Sequence, residues 1–155
     1  PNLKHWGELV AGSLPLQRRL QVDNTSVVVA TVPPQHMYGL ETSVLAVLQT
    51  GASVYAGRPF YPADVQQALA LSDIPPMLVT TPLHLRTCIS AHIEWPRIQQ
   101  VVSATAPLDQ MLAVKAERVM QARVLEIFGC SEAGSFASRS SAMESDWQMY
   151  DGMNI

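Results

Sequence analysis

Residues 26–32 read SVVVATV, a continuous β-branched run without the polar alternation of a half-exposed strand. Such a run is typical of a strand buried on both faces, as in parallel sheets covered by helices. The next stretch, MYGLETSVLAVLQT (37–50), has apolar residues at helical spacing, and Gly51 is well placed to end that helix. A buried strand followed by a helix predicts the first part of a β-α-β unit.

The same alternation continues along the chain. Further strands are predicted over 52–56, 76–81, 98–104 and 122–128, and further helices over 62–72, 82–91 and 108–121. The buried face of helix 108–121 is predicted to consist of Met111, Leu112, Val114 and Val119. This order predicts an α/β fold, with a mostly parallel sheet of about five strands and crossover helices. Residues 1–25 are expected to form a helix and a connector, whereas residues 136–155 show no clear period.

The composition limits the class of protein. The chain has 155 residues, which is enough for one domain with a hydrophobic core. Charged residues make up 15%, against about 25% in an average globular domain, and the net charge is −3. These values argue against a disordered chain and against binding to nucleic acid or an anionic membrane. No apolar run has the length of a transmembrane segment, and two cysteines are too few for a disulfide framework, so a cytoplasmic protein is expected.

The polar and glycine-bearing clusters follow the predicted strands. PPQHMYG follows the first strand, TTP the third, SATAPL the fourth and GCSEAG the fifth. Open α/β sheets bind ligands in the crevice beyond the carboxyl ends of their parallel strands. The order of strands and clusters therefore predicts one binding site at this edge of the sheet.

The stretch GCSEAG (129–134) has three interpretations. In a serine esterase, Ser131 would be the nucleophile of a G-x-S-x-G elbow, but the fifth residue is Ala133 and all four histidines precede Ser131, the reverse of the hydrolase order. A glycine-bounded turn with a solvated Glu132 is the second interpretation. The third is a phosphate and metal site, because hydroxyl and backbone N–H groups suit phosphate oxygens and a single carboxylate suits Mg²⁺ shared with phosphates.

Three motifs together resemble those of one family. VPPQHMYG (32–39) is similar to a P-x-x-H-x-x-G stretch, SATAPL (103–108) to S-G-G/A-A-P-L, and FGCSEAG (128–134) to Y-G-x-T-E-x-G. In this order they resemble the adenylate-forming acyl- and aryl-CoA synthetases, the AMP-binding ligases. The resemblance covers roughly residues 25–155.

The resemblance implies nucleotide-binding roles. Ser131 replaces a threonine whose hydroxyl meets the AMP phosphate, and Glu132 is implied as the catalytic Mg²⁺ ligand. Phe128, followed by Gly129, replaces the tyrosine beside the adenine, and Glu126 falls near the adenine amino group. The backbone beside the adenine face is implied for Ala104, Thr105, Ala106 and Pro107.

It also implies the substrates. His36 would lie beside the substrate carboxylate as a catalytic residue, with Tyr38 and Gly39 facing the acyl pocket. The implied cofactors are ATP or AMP and Mg²⁺. The implied partners are a carboxylic acid and the thiol of CoA or an acyl-carrier protein.

Some parts of such a ligase are not found in the sequence. It contains no Gly- and Ser/Thr-rich loop with a lysine to hold the ATP phosphates, and its eight glycines are scattered. The resemblance implies that this loop precedes residue 1 and that a C-terminal domain with a catalytic lysine follows residue 155. Residues 1–155 are therefore expected to be a partial adenylation domain, inactive alone and prone to self-association. The alternative is a non-catalytic binding or assembly module with a degenerate synthetase fold.

Overall fold

The computed structural model describes residues 3–143 and 146–152. The helices are α1 (Trp6–Leu20), α2 (Met37–Gly39), α3 (Ala46–Thr50), α4 (Pro62–Ala70), α5 (Pro82–Ser90) and α6 (Gln110–Met120), with a π-helical segment (Leu40–Leu45) between α2 and α3 and a 3₁₀ turn (Ser141–Met143). The strands are β1 (Val27–Ala30), β2 (Ser53–Val54), β3 (Met77–Thr80), β4 (Gln100–Ser103), β5 (Arg123–Cys130), β6 (Gly134–Arg139) and β7 (Gln148–Met149). None of the helices within the described residues is long and apolar enough to cross a membrane.

The strands form one sheet in the order β2-β1-β3-β4-β5-β6-β7. Strands β1 to β5 are parallel, which confirms the predicted α/β fold. The sheet has seven strands rather than about five, because β6 and β7 continue it in antiparallel order. The buried positions of β6 include Ser135, Ala137 and Ser138. Small and polar side chains of this kind produce no apolar alternation, so β6 is not recognisable from the sequence.

Both faces of the sheet are buried at β1 and β3, as the run at 26–32 predicts. Val29 and Leu78 face one side, where they pack with side chains of α4, α5 and α6. Val28 and Val79 face the other side, where they pack with Leu16 of α1 and other buried side chains. Adjacent residues of one strand therefore enter different cores, since successive side chains point to opposite faces.

The inner face of α6 differs from the predicted one. Met111 is 80% exposed and Val114 is 47% exposed, whereas the buried residues of the helix are Leu112, Ala113, Ala116 and Met120. A prediction based on large apolar residues gives little weight to alanine. The small side chain of alanine nevertheless lets a helix pack closely against its neighbours. The two alanines therefore set the buried face of the helix.

Candidate functional site

A cavity of about 830 Å³ lies beyond the carboxyl ends of β1, β3, β4 and β5. Its volume falls in the range of about 300–1,000 Å³ that is usual for small-molecule sites. The predicted site residues in its lining are His36, Tyr38, Ala104, Thr105, Ala106, Pro107, Glu126, Phe128, Gly129 and Ser131. The fold thus brings the three sequence motifs together around one space.

A second cavity of the same volume lies at the opposite edge of the sheet. Its walls come from the segments that precede the parallel strands, including Ser26, Pro75 and Gln99. None of the three motifs contributes to it. The three motifs therefore line only the cavity at the carboxyl ends, of these two.

The stretch GCSEAG forms the end of a β-hairpin. Strand β5 extends through Cys130, residues 131–133 make the turn, and β6 begins at Gly134. Gly129 lies against the returning strand, where a Cβ would be 2.5 Å from the Gly134 carbonyl oxygen, and Gly134 itself has φ +79°. Ser131 therefore precedes an antiparallel strand, and the strand-to-helix turn required by a nucleophile elbow is not formed here.

Phe128 provides an apolar wall of the cavity. Its side chain is 52% exposed although it stands in a strand. Its ring lies 5.0 Å from Phe136 in an edge contact and 5.2 Å from Trp147 in a tilted one, and the Arg139 guanidinium lies 4.5 Å from the Trp147 ring centroid. Neighbouring rings hold Phe128 in place, so that it can present an aromatic surface to a ligand.

Glu126 is a buried carboxylate with three donors around it. Its Oε1 accepts a hydrogen bond from the Leu108 backbone N–H at 2.8 Å. Its Oε2 accepts bonds from Arg139 Nε at 2.8 Å and from Ser141 Oγ at 2.5 Å. The carboxylate thus joins the SATAPL loop to the hairpin, a structural task additional to the predicted place near the adenine.

The residues of the first motif occupy different depths. His36 is exposed and precedes α2. Tyr38 is buried, its hydroxyl donates to the Val102 carbonyl at 2.9 Å, and burial raises its pKa well above the ordinary value. Gly39 does not line the cavity, because it packs against Pro33, whose carbonyl group would collide with any Cβ at this position. Gly39 therefore allows close backbone packing and does not face the space predicted for the acyl group.

Comparison of the sequence with profiles of protein families agrees with the resemblance carried by the three motifs. The profile of the AMP-binding enzyme family matches residues 3–153. The chain belongs to this family. A search of curated proteins found no match.

Three solved structures illustrate the similarity of fold. The chain matches a benzoate CoA ligase from Burkholderia xenovorans with a TM-score of 0.78 and 16% identity, over 94% of the length of the chain described here. It matches the O-succinylbenzoate CoA synthetase of Bacillus subtilis, in complex with AMP, with a TM-score of 0.78 and 15% identity over 92%. Apo MatB from Rhodopseudomonas palustris gives a TM-score of 0.72 and 20% identity over 87%. The chain spans only 32%, 30% and 27% of these three proteins, respectively.

Glu132 does not line the cavity. It is exposed at the hairpin turn, and its backbone carbonyl accepts a hydrogen bond from Lys4 Nζ. Within residues 3–143 and 146–152, no group of three His, Cys, Asp or Glu side chains could hold a metal ion. The Glu132 carboxylate beside Ser131 fits an ion that takes its other ligands from phosphates and water, as Mg²⁺ does.

Sequence patterns did not indicate two further residues of the lining, Arg139 and Trp147. Both lie in the part of the sequence without a clear period, and neither belongs to one of the three motifs. Arg139 reaches the cavity by pairing with Glu126 of β5, and Trp147 lies there in ring contact with Phe128. A signal for them would have required recognition of β6 as a strand.

Proposed function

We propose that this chain is part of an ATP-dependent carboxylic acid–thiol ligase that forms an acyl-adenylate and transfers the acyl group to CoA or an acyl-carrier protein. The observation that carries the proposal is the single cavity lined by all three motifs, with the half-exposed ring of Phe128 in its wall. Family membership and the similarity to CoA ligases, one of them in complex with AMP, support it.

In the proposed reaction, a carboxylate oxygen bonds to the α-phosphorus of ATP and pyrophosphate leaves. A thiol then attacks the acyl carbon, loses its proton and displaces AMP. The chain would position the reactants, with the Phe128 ring against the adenine, the Ser131 hydroxyl on the phosphate and His36 beside the substrate carboxylate. Mg²⁺, held by Glu132, would supply charge neutralisation at the phosphates.

Calorimetric titration with AMP in the presence of Mg²⁺ tests the nucleotide site. Stacking of a base on an aromatic ring contributes about 1–3 kcal/mol, so Phe128→Ala is expected to weaken AMP binding by about tenfold. Phe60→Ala is the matched control, because Phe60 is also an exposed aromatic residue but does not line the cavity. Equal affinities of the native chain and Phe128→Ala would contradict the proposal.

The 155-residue chain alone is proposed not to complete the reaction, because it contains no loop of the kind that holds the ATP triphosphate. Pyrophosphate exchange across a panel of carboxylic acids tests this point. The expected result is no turnover by the chain alone. Clear turnover would show that the chain is sufficient and would overturn this part of the proposal.

A non-catalytic binding module is the second candidate, and the position of Glu132 outside the cavity lining favours it. AMP titrations with and without Mg²⁺ separate the two functions. A ligase fragment should bind AMP more tightly with Mg²⁺, and Glu132→Gln should remove that gain. A binding module should show no dependence on Mg²⁺.

We also propose a cytoplasmic location and self-association of the chain. Cys88 and Cys130 are both free, which suits a reducing compartment. Large apolar side chains that are exposed include Phe60, Leu83 and Met111. Such surface favours association, and light scattering that gives the mass of a monomer would contradict it.

A further inference from the structure

Glu41 is a buried carboxylate in the helix that follows His36. It belongs to the π-helical segment Leu40–Leu45, and it is 3% exposed. Hydroxyls of the same segment, from Thr42 and Ser43, donate to the carbonyls of Tyr38 and Gly39 at 2.6 and 2.7 Å. π-helical turns are rare in proteins as a whole, and those that occur are often at functional sites.

The carboxylate of Glu41 contacts the hairpin of the GCSEAG motif. Both of its oxygens accept the Ser135 backbone N–H at 3.2 Å, and Oε2 accepts the Ser135 hydroxyl at 2.5 Å. A Cβ at Gly134 would be 2.5 Å from Oε1, so the carboxylate fills the space against this glycine. Gly134 and Ser135, which follow the turn, therefore both contact the Glu41 carboxylate.

The surroundings of Glu41 offer little compensation for its charge. Burial raises its pKa, while the hydrogen bonds from Ser135 and the more distant charge of Lys4 oppose that shift. The buried Tyr150 hydroxyl also interacts electrostatically with the Glu41 carboxylate. Among the described residues, no cationic side chain lies within ion-pair distance of the Glu41 carboxylate. A buried carboxylate without a cationic partner is costly for folding, and such groups cluster at functional sites.

We infer that Glu41 is a positioning residue, which fixes the phosphate-binding turn at residues 131–133 by holding Ser135 at its base. The inference rests on the proposed function, since it assigns Glu41 to the phosphate part of the proposed nucleotide site. His36 directly precedes the helical stretch that contains Glu41, so the contact also fixes the turn relative to the predicted substrate-binding histidine. Loss of Glu41 should therefore weaken recognition of the phosphate and spare that of the nucleoside.

The ratio of AMP affinity to adenosine affinity distinguishes positioning from simple support of the fold. Calorimetry with AMP and with adenosine is carried out on the native chain, Glu41→Leu and Glu41→Gln. Glu117→Gln is the matched control, because Glu117 also accepts a backbone N–H, from Val124 at 2.9 Å, but lies outside the cavity lining. The glutamine variant at 41 keeps an oxygen acceptor for the Ser135 N–H and adds an amide donor for its hydroxyl.

Glu41→Leu is expected to reduce AMP affinity by about tenfold and adenosine affinity by less than about twofold. Glu41→Gln should restore most of the ratio, and Glu117→Gln should leave it unchanged. If Glu41→Leu does not fold, Ser135→Ala removes the hydroxyl contact and should shift the ratio in the same direction by about threefold.

Two results would overturn the inference. Only the second would also overturn the proposed function. If the native chain binds AMP and adenosine but the ratio is the same in Glu41→Leu, or in Ser135→Ala where that variant is used, the role of Glu41 is wrong and the nucleotide site stands. If the native chain binds neither compound, the proposed function fails and the inference falls with it.

Discussion

The Glu126 carboxylate and the Arg139 guanidinium form an ion pair at 2.8 Å between directly opposed residues of β5 and β6. The same carboxylate also accepts the Leu108 N–H and the Ser141 hydroxyl. One side chain therefore connects the parallel part of the sheet, the loop before α6 and the antiparallel extension. Since Arg139 and the SATAPL loop both line the cavity, this pair also determines the shape of the site.

Glu126→Ala is expected to lower the free energy of unfolding by about 3 kcal/mol. The substitution leaves a buried N–H, a hydroxyl and a guanidinium without their acceptor. Arg139→Ala should cost less, because the arginine side chain is 31% exposed and water can replace part of its contact. Urea unfolding of both variants measures the difference. A loss below about 1 kcal/mol for Glu126→Ala would contradict the structural role.

Gly39→Ala and Gly12→Ala are expected to have opposite effects on stability. A methyl group at Gly39 collides with the Pro33 carbonyl in a buried contact, which should destabilise the chain by about 3 kcal/mol. Gly12 lies inside α1 with nothing within 4 Å of an added Cβ, so alanine there should stabilise by about 0.5–1 kcal/mol. Thermal unfolding compares the two variants, and a neutral Gly39→Ala would show that the close contact is absent.

The two cysteines should differ in their reaction with a thiol reagent at neutral pH. Cys130 is exposed in the cavity lining, whereas burial raises the pKa of Cys88 to about 11. One thiol per native chain should therefore react rapidly, and Cys130→Ser should abolish this phase. AMP with Mg²⁺ should slow the labelling of Cys130 if the nucleotide occupies the cavity. Rapid reaction of two thiols would contradict the burial of Cys88.

The difference in the free energy of unfolding between the native chain and Glu41→Gln should depend on pH. Burial raises the pKa of Glu41 above its ordinary value of 4.5, so the folded chain holds this proton more tightly than the unfolded chain. The stabilisation from the protonated form is complete below pH 4.5 and is lost as the pH rises through the folded pKa. The stability of Glu41→Gln minus that of the native chain should therefore increase with pH in this interval, as measured by urea unfolding at several pH values. A constant difference would mean that Glu41 has the same pKa in both states.

Much of the fold could be predicted from short stretches of sequence. The run around Val28 and Val29 predicted a strand buried on both faces, and the order of strands and helices predicted the parallel sheet. The prediction for α6 placed Met111 inside and overlooked Ala113, because an apolar pattern gives weight to large side chains and the packing of the helix used small ones. The hairpin strand β6 was missed for a related reason, since its buried positions are occupied partly by serine.

The sequence by itself determined the periodicity of the elements and the order of the three motifs, because both depend on neighbours within a few residues along the chain. The order of strands and motifs therefore predicts that the motifs lie at one edge of the sheet. Only the tertiary structure decided which polar groups meet. Glu41 pairs with Ser135, and Glu126 with Arg139, across distances in sequence that no local pattern spans. These contacts depend on strand register and burial, which arise when the sheet assembles and water is excluded from its edge.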